Sequence, residues 1–307
     1  MEASTPSRTA LITALMRSLH GRFDPLPLLQ DPWGERLVPG SVREAVARRA
    51  LERLPEAERA AATAQGPAFT DRALRANSSY TGVITRSRYT EDALHDAMAR
   101  GVRQYVLVGA GFDSYALRLP PAAQDLRVYE VDHPATQSFK LRCLDDAGVA
   151  RPAAARFLAA DLASEDLAAV LARSDYDATE PAFFSWLGVT MYLTRAANEE
   201  ALRGIARCAA AGSELVFTYI DALVFRPESG EAYRRFERLR HEVAALGEPF
   251  LCGFDPATLA PELAALGFDL LEDLADAALV ARYDPQHLNA LRCTGHSRIA
   301  RARVRQP

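Results

Sequence analysis

The chain has 307 residues, of which 49% are hydrophobic and 25% charged, and its formal net charge is −4. This is the profile of an ordinary globular protein with a large core, and it excludes a strongly basic nucleic-acid binder. Cys143, Cys208, Cys252 and Cys293 lie far apart with no CxxC spacing, which argues against a zinc site and fits a reducing, cytoplasmic setting.

The N-terminal run MEASTPSRTALITALMRSLHGRF lacks a long apolar stretch of signal-peptide type. No segment approaches the roughly 20 apolar residues that span a bilayer. The first hundred residues read as helical. A short helix is expected over 9–18, followed by loop signals crowded into GRFDPLPLLQDPWGERLVPG. A second helix starts near Ser41 and stops at Pro55. Helix propensity continues through AERAAATAQ and over 71–100, with a break at 78–82.

The pattern changes at Gln104. Strand-like runs over 104–108, 126–131, 155–160, 182–186 and 214–220 alternate with helical stretches over 133–146, 164–173, 195–210, 228–246 and 256–266. That alternation argues for a parallel sheet with crossover helices. Strands six and seven are expected over 268–274 and 292–304. The last ends in RIARARVRQP, whose alternating arginines read as an edge strand, because charge on an edge discourages pairing with another chain. The expected organisation is a helical cap over residues 1–100 and an α/β, Rossmann-like domain over 101–307, with a lid helix near 226–250.

The first chemistry-bearing stretch is Gly109-Ala110-Gly111-Phe112-Asp113, directly after the first strand. Ligands of open α/β sheets bind beyond the carboxyl ends of the strands, and a glycine turn there lets the backbone approach closely. A dinucleotide fingerprint needs a third glycine, and none follows. Asp113 would repel a pyrophosphate but attract an ammonium, which tilts the reading from NAD towards S-adenosyl-L-methionine. A plain strand-to-helix turn is the competing reading.

Glu130 and Asp132 end the second strand on one side, about 20 residues past the glycines, where an acid accepts ribose hydroxyls. Asp132 is nearer the tip. It also suits a helix N-cap before Pro134. Asp161 ends the third strand, fit either for an adenine amine or for a cap. FFSWLGVTMYLT ends the fourth strand, and its Trp186, Leu187 and Tyr192 either wall a site or pack the core. Arg86 and Arg88 in ITRSRYTEDAL suit bidentate capture of a carboxylate, or a solvated helix start.

Taken together, TRSRYTEDAL, GVRQYVLVGAGFDSYALRL, VYEVDHPATQSFK, AADL and WLGVTMYLT, in that order over about residues 80–195, resemble the leucine carboxyl methyltransferase family, especially its bacterial small-molecule branch. RFDPLPLLQDPWGERL looks like its lead-in. The resemblance implies a class I S-adenosyl-L-methionine-dependent methyltransferase with a seven-stranded sheet whose last strand is antiparallel. It implies that Arg86 meets the methionine carboxylate, with Arg88 as the alternative. It implies that Gly109 and Gly111 line the cofactor, that Asp132 takes the ribose, and that Asp161 and Leu162 flank the adenine. The family often has Ala-Glu where this chain has Trp186-Leu187, so Leu187 stands where an acidic cofactor contact is expected.

Methyl transfer from a sulfonium depends mainly on alignment of nucleophile and methyl. A carboxylate acceptor is ionised at neutral pH and needs no base, whereas a hydroxyl needs one within reach. Tyr192 and His241 are the candidates by location. The expected activity is O-methylation of a small or mid-sized organic acceptor, most naturally a carboxylate, of the kind made in secondary metabolism. The alternatives are hydroxyl methylation, methylation of a protein C-terminus, a Rossmann oxidoreductase, and a non-catalytic cofactor-binding homologue.

Overall fold

The computed structural model describes residues 6–245, 247–289 and 291–305. Six helices lead in: α1 (Arg8–Phe23), α2 (Trp33–Leu37), α3 (Gly40–Glu52), α4 (Glu56–Ala64), α5 (Pro67–Arg75) and α6 (Tyr80–Ala99). Then come β1 (Gln104–Val108), β2 (Arg127–Asp132), α7 (Pro134–Asp146), β3 (Ala155–Ala159), α8 (Leu167–Leu171), β4 (Ala182–Trp186), α9 (Arg195–Cys208) and β5 (Glu214–Ile220). The chain closes with α10 (Glu231–Ala244), α11 (Leu259–Ala265), β6 (Phe268–Ala275), α12 (Asp276–Tyr283) and β7 (Ser297–Val304). Residue 246, the expected end of the lid helix, lies outside the described residues.

The strands form one seven-stranded sheet in the order β3-β2-β1-β4-β5-β7-β6. β1 to β5 are parallel, and β7 runs antiparallel to both β5 and β6. The chain order reverses between β1 and β4, the switch point where open α/β sheets place ligands. The central strands β1, β4 and β5 are buried along their whole length, as continuous apolar runs covered on both faces must be. On one face α6 and α12 supply Tyr89, Leu94, Ala97 and Leu279 against Leu107, Phe183 and Val216. On the other, α8, α9 and α11 supply Val170, Leu202, Ile205 and Leu263 against Val106, Phe184 and Phe217. So α6, within the segment read as a cap, forms part of the layer on the sheet.

Two expectations need correction. The arginine-rich tail is not an edge strand, because β7 lies between β5 and β6. Its charges are absorbed by neighbours: Arg301 and Arg303 meet Glu214 at 2.7 and 3.1 Å, and Arg298 meets Asp273 at 2.8 Å. The strand also starts at Ser297 rather than near 292. Gly295 has φ +76°, and the turn donates from the Thr294 and Gly295 amides to the buried Asp276 carboxylate at 2.6 and 2.8 Å. Asp276 belongs to α12, a helix that the sequence pattern does not announce.

The tips of β1 and β2 are tied by a buried ion pair. Lys140 of α7 donates to Glu130 Oε2 at 2.5 Å and to the Asp113 carbonyl at 2.6 Å. Both side chains are almost fully enclosed, and burial pushes the Glu130 carboxyl up while Lys140 pulls it back. Lys140→Met should cost about 3–5 kcal/mol in denaturant unfolding, because it strands the Glu130 carboxylate in the interior. The double variant Glu130→Gln/Lys140→Met should recover most of that loss.

Candidate active site

The glycine turn sits where the switch point places it. Gly109 and Gly111 have φ +72° and +55°, conformations that L side chains rarely adopt. The Gly109 and Ala110 amides donate to the Val131 carbonyl at 2.9 and 3.1 Å, which fastens the turn to β2. Asp132 stands at the tip of β2 and accepts from the Gly111 amide at 2.5 Å and the His133 amide at 2.6 Å. Burial raises its carboxyl, and those two amides oppose the rise. The cap of α7 is His133, whose side chain accepts from Ala135, so Asp132 is not the helix cap. Glu130, one rung lower, is committed to Lys140 and drops out as a ligand group.

Arg86 and Arg88 part company. Two positions apart on α6, they leave the helix in different directions. Arg88 is half-buried, pairs with Asp92 at 2.9 Å and donates to the Leu28 carbonyl. Arg86 turns inward onto the tip of β4: a Cβ built on Gly188 would lie 2.8 Å from its Nη1. Among the described residues Arg86 makes no hydrogen bond and no ion pair. Burial lowers its guanidinium to about 10; Arg17 lowers it further, while Tyr192 and Asp113 oppose. At neutral pH it is still a cation, with nearby opposite charge but no bonded partner.

Asp113 keeps its carboxylate at the turn, where Oδ1 accepts from the Tyr115 amide at 2.8 Å. It lines a small cavity with Arg17, Ser87, Thr90, Glu91, Tyr105 and Leu187. Leu187 therefore does face the site. Trp186 points the other way into the core and walls nothing. Asp161 accepts from the Ala163 amide at 3.0 Å in a local turn beyond β3, while Asp166 caps α8. Leu162 beside it is an exposed apolar side chain.

Tyr192 lies between Arg86 and the lid. Burial, and then Glu248, push its phenol up to about 12, against a hydrogen bond from Thr9 and the charge of Arg86. It is thus a protonated donor at neutral pH and not a base. His241 is exposed on the outer side of α10 and bonds only to its own helix, so it does not reach the site.

Residues with no motif of their own stand around the turn. Arg17 of α1 bonds Asp31 at 2.7 Å and donates to the Phe112 carbonyl at 2.6 Å. An arginine on an apolar helical face was the available signal. Ser7 and Thr9 donate to Glu248 at 3.0 and 2.6 Å, joining the start of α1 to the segment after α10. No local pattern announces that contact. Ala10 packs close on the turn, with its Cβ 3.0 Å from a Cβ built on Gly111.

A half-buried cation without a bonded partner, a bare glycine turn, an acid beside it and a carboxylate at the next strand tip form one donor set. It fits a ligand that carries a carboxylate, an ammonium and vicinal hydroxyls. Those are the groups of S-adenosyl-L-methionine.

The sheet is that of class I S-adenosyl-L-methionine-dependent methyltransferases. A crystal structure of a provisionally named methyltransferase from Thermobifida fusca YX superposes with TM-score 0.56 over 99% of this chain and 96% of that chain, at 16% identity. A DUF574 family protein from Streptomyces avermitilis gives TM-score 0.52 over 84% and 95%, at 19% identity. Both speak for the fold alone. The sequence model described as leucine carboxyl methyltransferase matches residues 10–206. A protein of Bacillus subtilis (strain 168), YktD, provisionally named an S-adenosyl-L-methionine-dependent methyltransferase, is 28% identical over 90% of both chains. One of Mycolicibacterium vanbaalenii with the same provisional name is 34% identical over 84% of this chain and 81% of that one. The chain belongs to the leucine carboxyl methyltransferase family. It is an S-adenosyl-L-methionine-dependent methyltransferase.

A side chain at Gly109 meets two obstacles: the positive φ, and Val189 Cγ2 at 2.6 Å from the new Cβ. Gly109→Ala should therefore lower stability by about 1–3 kcal/mol in thermal unfolding. Gly109→Ala/Val189→Ala should recover the steric part only.

Proposed function

We propose that the enzyme methylates a carboxylate oxygen of a small or mid-sized organic acceptor. When bound, the cofactor supplies a methyl group activated by the sulfonium charge. Arg86 pairs with its methionine carboxylate, and Asp113 faces its ammonium. Gly109 and Gly111 give it bare backbone. Asp132 takes the ribose hydroxyls with the lone pairs left over from its two amide bonds. Asp161 and Leu162 flank the adenine. Leu187 adds contact but no charge, so Asp113 carries the ammonium alone on that side.

The acceptor reading is carried by the lid. Phe236, Leu239 and Val243 of α10 cover Met191, Ile220 and Val224 at the sheet tips, and Phe250 packs on Tyr192 at 5.4 Å between centroids. An apolar cover excludes water and orders an organic acceptor. At its inner end stands a protonated phenol, which can donate to an acceptor oxygen but cannot take a proton from one. A carboxylate arrives ionised and needs no such help. The small-molecule reading is favoured over a protein terminus because the lid rests directly on the tips. A hydroxyl acceptor is the second reading, favoured by one observation: the His296 ring packs on Phe236 at 5.7 Å.

Metabolite extracts incubated with enzyme and methyl-labelled cofactor should yield a labelled small molecule whose label is released by alkali, as an ester's is. An alkali-stable label would move the reaction to a hydroxyl, and label confined to protein would end the small-molecule reading. Arg86→Ala should weaken S-adenosyl-L-methionine by about 1.5–3 kcal/mol in calorimetry, a charge-assisted bond, and leave 5′-methylthioadenosine unchanged because it has no carboxylate. Asp132→Ala should weaken both ligands by a similar amount, and equal losses for Arg86→Ala would reassign that arginine.

A further inference from the structure

A small cavity lies between α6, the glycine turn and Leu187. Its volume of about 10 Å³ suits one group the size of a water molecule or an ammonium. Most of its polar wall is already bonded. Glu91 pairs with Arg118 at 2.6 Å, and Arg17 pairs with Asp31 at 2.7 Å. The Tyr105 hydroxyl meets Ser185 at 2.9 Å, and the Tyr115 hydroxyl meets His95 at 3.1 Å. Among the described residues two wall groups are left over. Asp113 engages Oδ1 with the Tyr115 amide and makes no hydrogen bond through its other carboxylate oxygen. Thr90 is 2% exposed, and its buried Oγ1 has no hydrogen-bond partner.

Hydroxyls inside helices can bond back to the carbonyl four residues earlier. Two neighbours on α6 do so: Thr85 donates to the Thr81 carbonyl at 2.9 Å, and Ser87 to the Val83 carbonyl at 2.8 Å. Thr90 makes no such bond. A buried hydroxyl without a partner costs free energy that a ligand can recover. The charge of the wall selects that ligand. The two arginines lining the cavity are matched by Asp31 and Glu91, which leaves the Asp113 carboxylate uncompensated. An anion is repelled there, whereas a small cation with N–H donors meets two acceptor oxygens. Arg86 lies outside this wall, against Gly188, and is answered by the carboxylate that the ligand itself brings. Arg86 and Thr90 stand four residues apart, so they are neighbours on one face of α6.

We propose that Thr90 is a cofactor-binding residue whose hydroxyl accepts a hydrogen bond from the methionine ammonium held beside Asp113. This rests on the reading above in which Asp113 faces that ammonium, and it adds a second partner. Asp113 still carries the charge alone, while Thr90 supplies an uncharged acceptor from the α6 side. An ammonium has three N–H donors, so both bonds form at once. The amino acid end of the cofactor bears its ammonium and its carboxylate on one carbon. Neighbouring positions on one helix face match that arrangement, with Arg86 at the carboxylate and Thr90 at the ammonium.

The test measures, by calorimetry on the full chain, the binding of S-adenosylhomocysteine and of its deamino analogue S-adenosyl-4-thiobutanoate, which lacks only the ammonium. The wild type should bind the first more tightly. Thr90→Val should weaken S-adenosylhomocysteine about tenfold, the lower end for a hydrogen bond to a charged group, and leave the analogue unchanged. Thr90→Ser, which keeps the hydroxyl, should retain the discrimination. Without ligand, Thr90→Val should melt no lower than the wild type, because it removes a hydroxyl that has no partner. A lower melting temperature for that variant, or the same change in affinity for both ligands, overturns the role of Thr90. Asp113 then keeps the ammonium if the wild type still prefers S-adenosylhomocysteine. Equal affinity of the wild type for both ligands would withdraw the ammonium from Asp113, and the proposal with it.

Discussion

One buried ammonium holds the site in shape. Lys140 reaches from α7 to the Glu130 carboxylate inside β2 and to the Asp113 carbonyl in the glycine turn. It therefore couples the tips of two adjacent parallel strands, whose paired register ends at Val108 and Val131. Burying such a pair gains little net stability over an apolar one, but breaking it is costly. Its value is positional. With the Asp113 carbonyl fixed, its carboxylate stays at the turn, and Asp132 is left to bind amides at the rim.

Around that fixed turn the charges are arranged so that a ligand completes them. Arg86 lies half-buried against Gly188 with opposite charge close by but none bonded to it. A cation kept in that state is unfavourable alone and becomes favourable when a carboxylate arrives. Leu187 replaces an expected acid on the same wall, and the cavity beside it is lined by Asp113 and Glu91. Glu91 is neutralised by Arg118 at 2.6 Å, so Asp113 remains the acid with charge to offer.

The roof joins parts distant in the chain. The start of α1 and the segment after α10 meet through Ser7, Thr9 and Glu248, while β5 and β7 bring Asp221 and His296 together. Tyr192 stands where charged groups, Arg86 among them, give way to the aromatic rings of Phe250 and Phe236.

The sequence by itself determined the alternation of strands and helices from Gln104 onward, the glycine turn, and the acids at the ends of the second and third strands. Those features are local: a strand shows as a buried apolar run, a turn as glycine, and a βαβ unit as a spacing. Tertiary structure decided the choices between equals. Arg86 and Arg88 have the same chemistry, and only helix phase turns one inward. Glu130 and Asp132 share a strand face, and only Lys140 removes the first. Trp186 and Leu187 are neighbours whose alternation sends one into the core. The arginines of β7 read as an edge until Glu214 and Asp273 are seen beside them. His296 meets the tip of β5 because an antiparallel strand begins where parallel strands end, a fact carried by the sheet order and by no pattern along the chain.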